Sequence, residues 1–303
     1  ILGLIDNSNT AVIELADASG IRLLQQHELD ALHATTYGTG ELIKHALDKG
    51  VNKIIMCIGG SATVDGGTGI LQAFGIRFLD TENEILKGLP ESLVHLASID
   101  LSGLDKRILN CELIILCDVE NKLLGETGAA KIFGPQKGAS PEDVKTLERA
   151  LTKFRDIAAN ETGADMSSIK HGGASGGVAA GLAVFCNAKL VNGIDHFLTI
   201  TSFNDALQKA DLLISGEGSI DAQTLQGKGP YGVALRAKKK NIPVIGVAGK
   251  VPLAPDPQLQ KYLDVLVAIN HEPFEIAEAI KNTKDNLVRT GKVIGDLLAM
   301  QQM

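Results

Sequence analysis

Residues 53–69 read Lys53-Ile-Ile-Met-Cys-Ile58-Gly59-Gly-Ser-Ala-Thr-Val-Asp-Gly-Gly-Thr-Gly69. A short apolar run ends in a polar, glycine-rich loop, and Ile70, Leu71 and Phe74 then carry the apolar side of a helix. That order is strand, loop, helix. The first backbone N–H groups of a helix have no partner inside it, so a loop leading into a helix attracts anions. Two further segments have the same character. They are Phe133-Gly-Pro-Gln-Lys-Gly-Ala-Ser140 and Ser215-Gly-Glu-Gly-Ser-Ile-Asp-Ala-Gln-Thr224, the latter with Gly227-Lys228 close behind. All three mix a pliant backbone with carboxylate, hydroxyl or ammonium side chains, as suits a loop that wraps an anion.

Working outward, Thr10–Leu15 reads as a strand. Thr39 to Lys49 reads as a helix capped by Thr39, with Leu42, Ile43, Ala46 and Leu47 on one face. Leu113–Cys117 is a strand with Asp118 at its carboxyl end. Ser140-Pro-Glu-Asp is a helix start: a cap, a proline at the first position, and acids in the first turn. Leu147, Leu151 and Phe154 continue its apolar stripe. The glycine- and alanine-rich run 172–181 reads as close helix packing, with a ligand role as the alternative. From about Asn204 the rhythm becomes regular: strand Leu212–Ile214, helix Tyr231–Lys240, strands Val244–Ala248 and Val265–Ile269, and a closing helix from near Pro273. The alternation predicts an α/β fold with a parallel sheet and helices on both faces. Ligands bind such sheets beyond the carboxyl ends of strands, where Gly216-Glu217-Gly218 and Gly249-Lys250 are expected to lie.

Composition narrows the function. The 303 residues are 45% hydrophobic but only 4% aromatic, without Trp, so the core must be aliphatic. A formal net charge of −7 argues against a nucleic-acid partner. The one basic triplet, Lys238-Lys239-Lys240, falls where a helix should end and complements its dipole. Cys57, Cys111, Cys117 and Cys186 form no C-x-x-C pair, which suggests free thiols in a reducing cytoplasm and no zinc site. No apolar run reaches the roughly 20 residues that span a bilayer. No P-loop, no His-Glu-x-x-His pair and no complete dinucleotide fingerprint is present.

Phosphoryl transfer needs an anion cradle, a metal-binding carboxylate, cations for developing charge, and a group that orients the attacking hydroxyl. Gly59, Gly60, Ser61 and Thr63 supply candidates for the cradle. Asp65 and Asp118 are candidate Mg²⁺ ligands, directly or through water, and Asp65 is also a candidate for the phosphate site; equally, Asp65 suits a helix cap and Asp118 a turn. Lys137 and Lys228 are candidates to neutralise phosphate, with a solvated Lys137 as the alternative. Glu217 and Asp221, four apart on one loop, are the pair for metal binding and base duty, and Gly216 and Gly218 are candidate substrate or phosphate contacts.

At these residues the chain resembles the bacterial glycerate kinase family. Thr36-Tyr-Gly-Thr-Gly-Glu-Leu-Ile43 is similar to the family's "TYGTGELI", and Ile58 to Gly67 to "IGGSATNDGG". Cys117-Asp-Val through Gly134-Pro-Gln-Lys-Gly-Ala139 follows "CDV…GAA…FGPQKGA". Ser215 to Thr224, Gly227-Lys228 and Ile245–Gly249 follow "TGEGxxDxQT…GK…PVIxxAG". Val64 stands where the family has Asn, Ser175 where its glycine run commonly has Ala, and Gly229 where Val or Ala is usual.

The resemblance implies two α/β domains, one a Rossmann-like parallel sheet and the other inserted into it, with the active site in the cleft. On that basis residues 1–203 are expected to form the inserted domain, with the first residues as a hinge, and 204–303 the carboxyl-terminal part of the Rossmann-like domain. The implied reaction is Mg²⁺-assisted transfer of the ATP γ-phosphoryl group to D-glycerate, at the 2-hydroxyl by resemblance, while the residues themselves give no argument for position two over position three. The implied partners are D-glycerate and ATP, with no nucleic acid and no membrane. Homo-oligomerisation is left open, as are a non-catalytic ligand-binding homologue and a kinase of a related hydroxy acid. The chain opens without Met at Ile1-Leu-Gly-Leu-Ile5, which reads as mid-strand, and lacks the family's "PDSFKGS" and "ADGGEGT". An upstream segment is therefore expected.

Overall fold

The computed structural model describes residues 2–226, 229–254, 256–272 and 275–300. They form two compact units, 1–193 and 194–303. The architecture is α/β, as the alternating pattern predicts.

Seven strands belong to the first unit: β1 Leu2–Ile5, β2 Thr10–Glu14, β3 Lys53–Cys57, β4 Arg77–Leu79, β5 Ser98–Asp100, β6 Glu112–Cys117 and β7 Lys189–Asn192. Five make one sheet in the order β1-β2-β3-β6-β7. β1 runs antiparallel at its edge, and the other four are mutually parallel. β4 and β5 form a separate two-stranded ribbon. β3 buries Ile54, Ile55 and Met56 in succession and β6 buries Leu113, Ile114 and Ile115, so both faces of the sheet are covered. Phe154 stacks on Phe185 with centroids 5.8 Å apart, and Phe78 meets its edge at 5.7 Å. The few aromatics thus concentrate under the long helix Pro141–Thr162.

That helix begins as its sequence predicts. The Ser140 hydroxyl accepts from the Asp143 N–H at 3.2 Å, and the Asp143 carboxylate accepts from the Ser140 N–H at 2.8 Å. The helix predicted from Thr39 instead runs Tyr37–Asp48. Thr39 lies inside it, fully buried, with its hydroxyl 2.8 Å from that of Ser19. A second chain segment therefore claims the hydroxyl that local sequence assigned to capping.

The second unit has three strands, β8 Leu213–Ser219, β9 Val244–Lys250 and β10 Val265–Ala268, all parallel in the order β10-β9-β8. β8 is longer than predicted. Gly216, Glu217 and Ser219 pair with Val247, Ala248 and Lys250, so parallel hydrogen bonding carries the glycine segment into the sheet. Gly249 and Lys250 likewise close β9. Lys238 at the end of helix Gly229–Lys238 pairs with Asp264. The predicted start of the closing helix, Pro273, lies outside the described residues; helices Ile276–Lys281 and Thr283–Met300 follow. No helix among the described residues is long and apolar enough to cross a membrane.

Candidate active site

Because β3 and β6 are parallel neighbours, their carboxyl ends emerge side by side. Ile58 to Ser61 leave from one and Asp118 from the other. Together with Gln136, Lys137, Ala174 and Ser175 they line a cleft of about 300 Å³. This is the low end of the size range of small-molecule sites. Gly60 has φ 71°, a left-handed conformation that favours glycine, and a Cβ on Gly59 would meet nothing within 4 Å. The backbone is bare where the cleft begins.

Lys137 is the central cation, and its place was not legible from local sequence. It closes the short helical turn Pro135–Lys137, and only 3% of it is exposed. Its ammonium donates to Ser61 Oγ and to the Thr63 carbonyl, each at 2.7 Å. Burial lowers its pKa to about 8, partly opposed by the negative charge of Asp65. The solvated alternative is thereby excluded. Cys117 also lines the cleft, but burial, with a smaller push from Asp118, raises its thiol to about 12, so it is no nucleophile.

Asp65 is a correction. It was a candidate for phosphate and metal binding, yet it is 0% exposed and its carboxylate is filled by protein donors. Oδ2 accepts from the Thr36 N–H at 2.9 Å, the Thr36 hydroxyl at 2.7 Å and the Gly69 N–H at 3.2 Å. Oδ1 accepts from the Gly67 N–H at 3.0 Å. It ties the starts of two helices together and has no room for direct coordination of an ion. Thr63 is also fully buried; it acts through the carbonyl that holds Lys137, and its side chain does not line the cleft.

The second unit has its own cleft, of about 910 Å³, at the carboxyl ends of its strands. Gly216, Glu217, Gly218, Lys250 and Asn270 give it polar groups, and Ile276, Ile280 and Leu287 an apolar wall. The Thr224 hydroxyl lies 3.5 Å from Glu217 Oε2 and accepts from the Asp221 N–H at 3.2 Å. The Ser219 hydroxyl is 3.5 Å from Asp221 Oδ2. Glu217 and Asp221 are thus linked through one hydroxyl. Lys228 lies outside the described residues.

The chain matches the model of the glycerate kinase family over residues 1–299. The chain belongs to the glycerate kinase family. Among curated relatives, a glycerate kinase of Haemophilus influenzae is 41% identical over 99% of this chain and 79% of its own length. A glycerate 2-kinase of Escherichia coli K12 is 40% identical over 98% of this chain and 78% of its own. The crystal structure of a candidate glycerate kinase 2 from Salmonella typhimurium LT2 is similar at a TM-score of 0.85 and 43% identity. It is matched over 100% of this chain and 79% of that one.

Within this kinase the structure gathers Gly59, Gly60, Ser61, Asp118 and Lys137 around one cleft, and places Gly216, Glu217 and Gly218 on another. Asp221 adjoins the second through Thr224. Among the described residues no three His, Cys, Asp or Glu side chains converge as a metal cluster. Among the cleft-lining residues not singled out as site candidates from sequence are Gln136, Asn270 and Ser175. Ser175 is the one whose local context was least informative. It sits in a run read as helix packing, and its one signal was a polar residue among small ones.

Proposed function

We propose that this kinase transfers the γ-phosphoryl group of ATP to D-glycerate and releases 2-phosphoglycerate and ADP. The observation that carries the reading is Lys137, a buried ammonium held beside Ser61 in a cleft with room for a three-carbon acid. Burying a cation costs free energy, and an anionic ligand offsets that cost. The choice of position two is supported by the name of the Escherichia coli relative.

Lys137 and Ser61 bind the acceptor anion and hold it against the bare backbone of Gly59 and Gly60. Asp118 is the acidic side chain that lines this cleft, so it takes the proton of the attacking hydroxyl as the new oxygen–phosphorus bond forms. The γ-phosphorus to bridging-oxygen bond breaks, and that electron pair leaves with ADP. This moves Asp118 from the metal role expected of it to the base role.

ATP suits the larger cleft, which offers an apolar wall for a base and strand-end polar groups for phosphates. Glu217 and Asp221, with the hydroxyls of Ser219 and Thr224, are hard oxygen donors that fit Mg²⁺, and they would hold it with the nucleotide phosphates. The ion supplies neutralisation of phosphate charge. Lys228 keeps the phosphate-neutralising role its sequence context gives it. The two units are read as an inserted domain and a Rossmann-like domain. The protein is read as cytoplasmic, without nucleic-acid or membrane partners.

The test is ADP release with ATP, Mg²⁺ and D-glycerate, with ³¹P NMR of the product. Acceptor-dependent ADP and a 2-phosphate resonance are expected. No acceptor dependence contradicts the function, and a 3-phosphate resonance contradicts the position.

A further inference from the structure

Ser175 lines the same cleft as Lys137, yet nothing above gives it a role. Its backbone has φ 56°, a left-handed conformation that costs a serine energy a glycine would not spend. Gly176 and Gly177 continue the run of positive φ at 68° and 94°. The Gly177 N–H is satisfied within the turn, donating to the Gly173 and Ala174 carbonyls at 3.3 Å each. Among the described residues the Ser175 Oγ is buried and has no hydrogen-bond partner. Buried hydroxyls are ordinarily bonded, so an unbonded one in a ligand cleft calls for a ligand.

The turn is also locked in place beside the cation. A Cβ on Gly176 would lie 2.1 Å from the Thr63 carbonyl oxygen, so glycine is required there. That same oxygen accepts from Lys137 Nζ at 2.7 Å. Ser175 is therefore held one residue from the group that positions the central ammonium.

We infer that Ser175 is a specificity-determining residue of the acceptor cleft, its hydroxyl hydrogen-bonding an oxygen of a small anionic hydroxy acid. The inference rests on reading this cleft as the acceptor site. Since the family pattern commonly has Ala at this position, the hydroxyl adds acceptor affinity and is not required for the transfer itself. The proposed function assigns ATP to the other cleft, so its affinity should not depend on Ser175.

The experiment compares the full chain with Ser175→Ala and Ser175→Gly by steady-state kinetics in both substrates, calorimetric titration with D-glycerate, and thermal melting. Loss of a hydrogen bond to an anion predicts that KM and Kd for D-glycerate rise about tenfold in both variants. KM for ATP stays within about twofold, below what losing such a bond would give. Tm of Ser175→Gly equals or exceeds that of the parent, because glycine relieves the left-handed strain. An active parent whose two variants keep D-glycerate KM and Kd unchanged overturns the role of Ser175 and leaves the acceptor cleft standing. A rise in ATP KM without a change for D-glycerate also overturns it. A parent that neither turns over nor binds D-glycerate contradicts the acceptor cleft itself, and the inference falls with it.

Discussion

Residues 1–193 and 194–303 both set charged side chains at the carboxyl ends of parallel strands, but they hold them differently. In the first unit the sheet is covered on both faces, and Lys137 and Asp65 are buried with their hydrogen bonds fixed by three separate segments. In the second, β8 has no buried residue, and Glu217 and Asp221 are half-buried. The closing helix there exposes Val288, Leu297 and Met300. On the proposed reading, the first unit is built around a preorganised anion site, where charge is costly to hold and specific in effect. On the same reading, the second offers oxygen donors for a metal-bound polyphosphate.

If the first unit holds the reacting hydroxyl, Asp118→Asn should give the largest effect. A lost general base predicts a fall in kcat of about 10²–10⁴ with melting temperature unchanged. Steady-state kinetics and calorimetric melting of the same sample decide it. A loss below about tenfold moves base duty to the second unit, since a positioned base typically contributes more than that.

Asp65→Asn separates architecture from chemistry within the first unit. The amide turns a donor toward N–H and O–H groups that need an acceptor, and breaking such a buried charged network costs about 3–5 kcal/mol. Denaturant titration should show that loss. Unaltered stability would mean that the four donors to Asp65 find other partners.

The second unit is probed by Asp221→Asn. A metal ligand lost there predicts that the Mg²⁺ concentration for half-maximal turnover rises by about 10- to 100-fold, with KM for D-glycerate unchanged. A change in D-glycerate KM alone would place Asp221 with the acceptor instead.

The pH profile gives the sharpest contrast. Lys137 has a pKa of about 8 in the fold against an ordinary 10.5, so its charge is lost as pH rises through 8. kcat/KM for D-glycerate should fall about tenfold per pH unit above that point. Stability moves the other way. Between about 8 and 10.5 the folded chain binds fewer protons at this site than the unfolded chain, so this group favours the fold increasingly as pH rises. Parallel activity and denaturation series over that range test the opposition, which a flat activity profile would remove.

Much of this was readable from sequence where the deciding contacts are local. The apolar run ending at Gly59-Gly60 marked β3 and its loop, and Ser140-Pro-Glu-Asp marked a helix start whose reciprocal hydrogen bonds are present. Elsewhere the deciding partner is distant. Thr36, 29 residues before Asp65, turns that carboxylate from a ligand candidate into a structural tie. Ser61 and Thr63, more than 70 residues before Lys137, make a surface-like lysine a buried one. β8 runs on to Ser219 because β9 supplies its partners, which no property of the glycine segment announces. Ser175 was obscured by its neighbours, since a glycine and alanine run has the same composition whether it packs helices or shapes a cleft.

The central claim is that Lys137 makes the first unit's cleft an acceptor site. Calorimetric titration of D-glycerate at pH 7 into the parent chain and into Lys137→Met tests it directly. Saturable binding to the parent is expected, with loss of at least about tenfold in affinity in the variant for a missing charged hydrogen bond, and a variant Tm no lower than the parent's. Equal affinity for D-glycerate in the two proteins would contradict it.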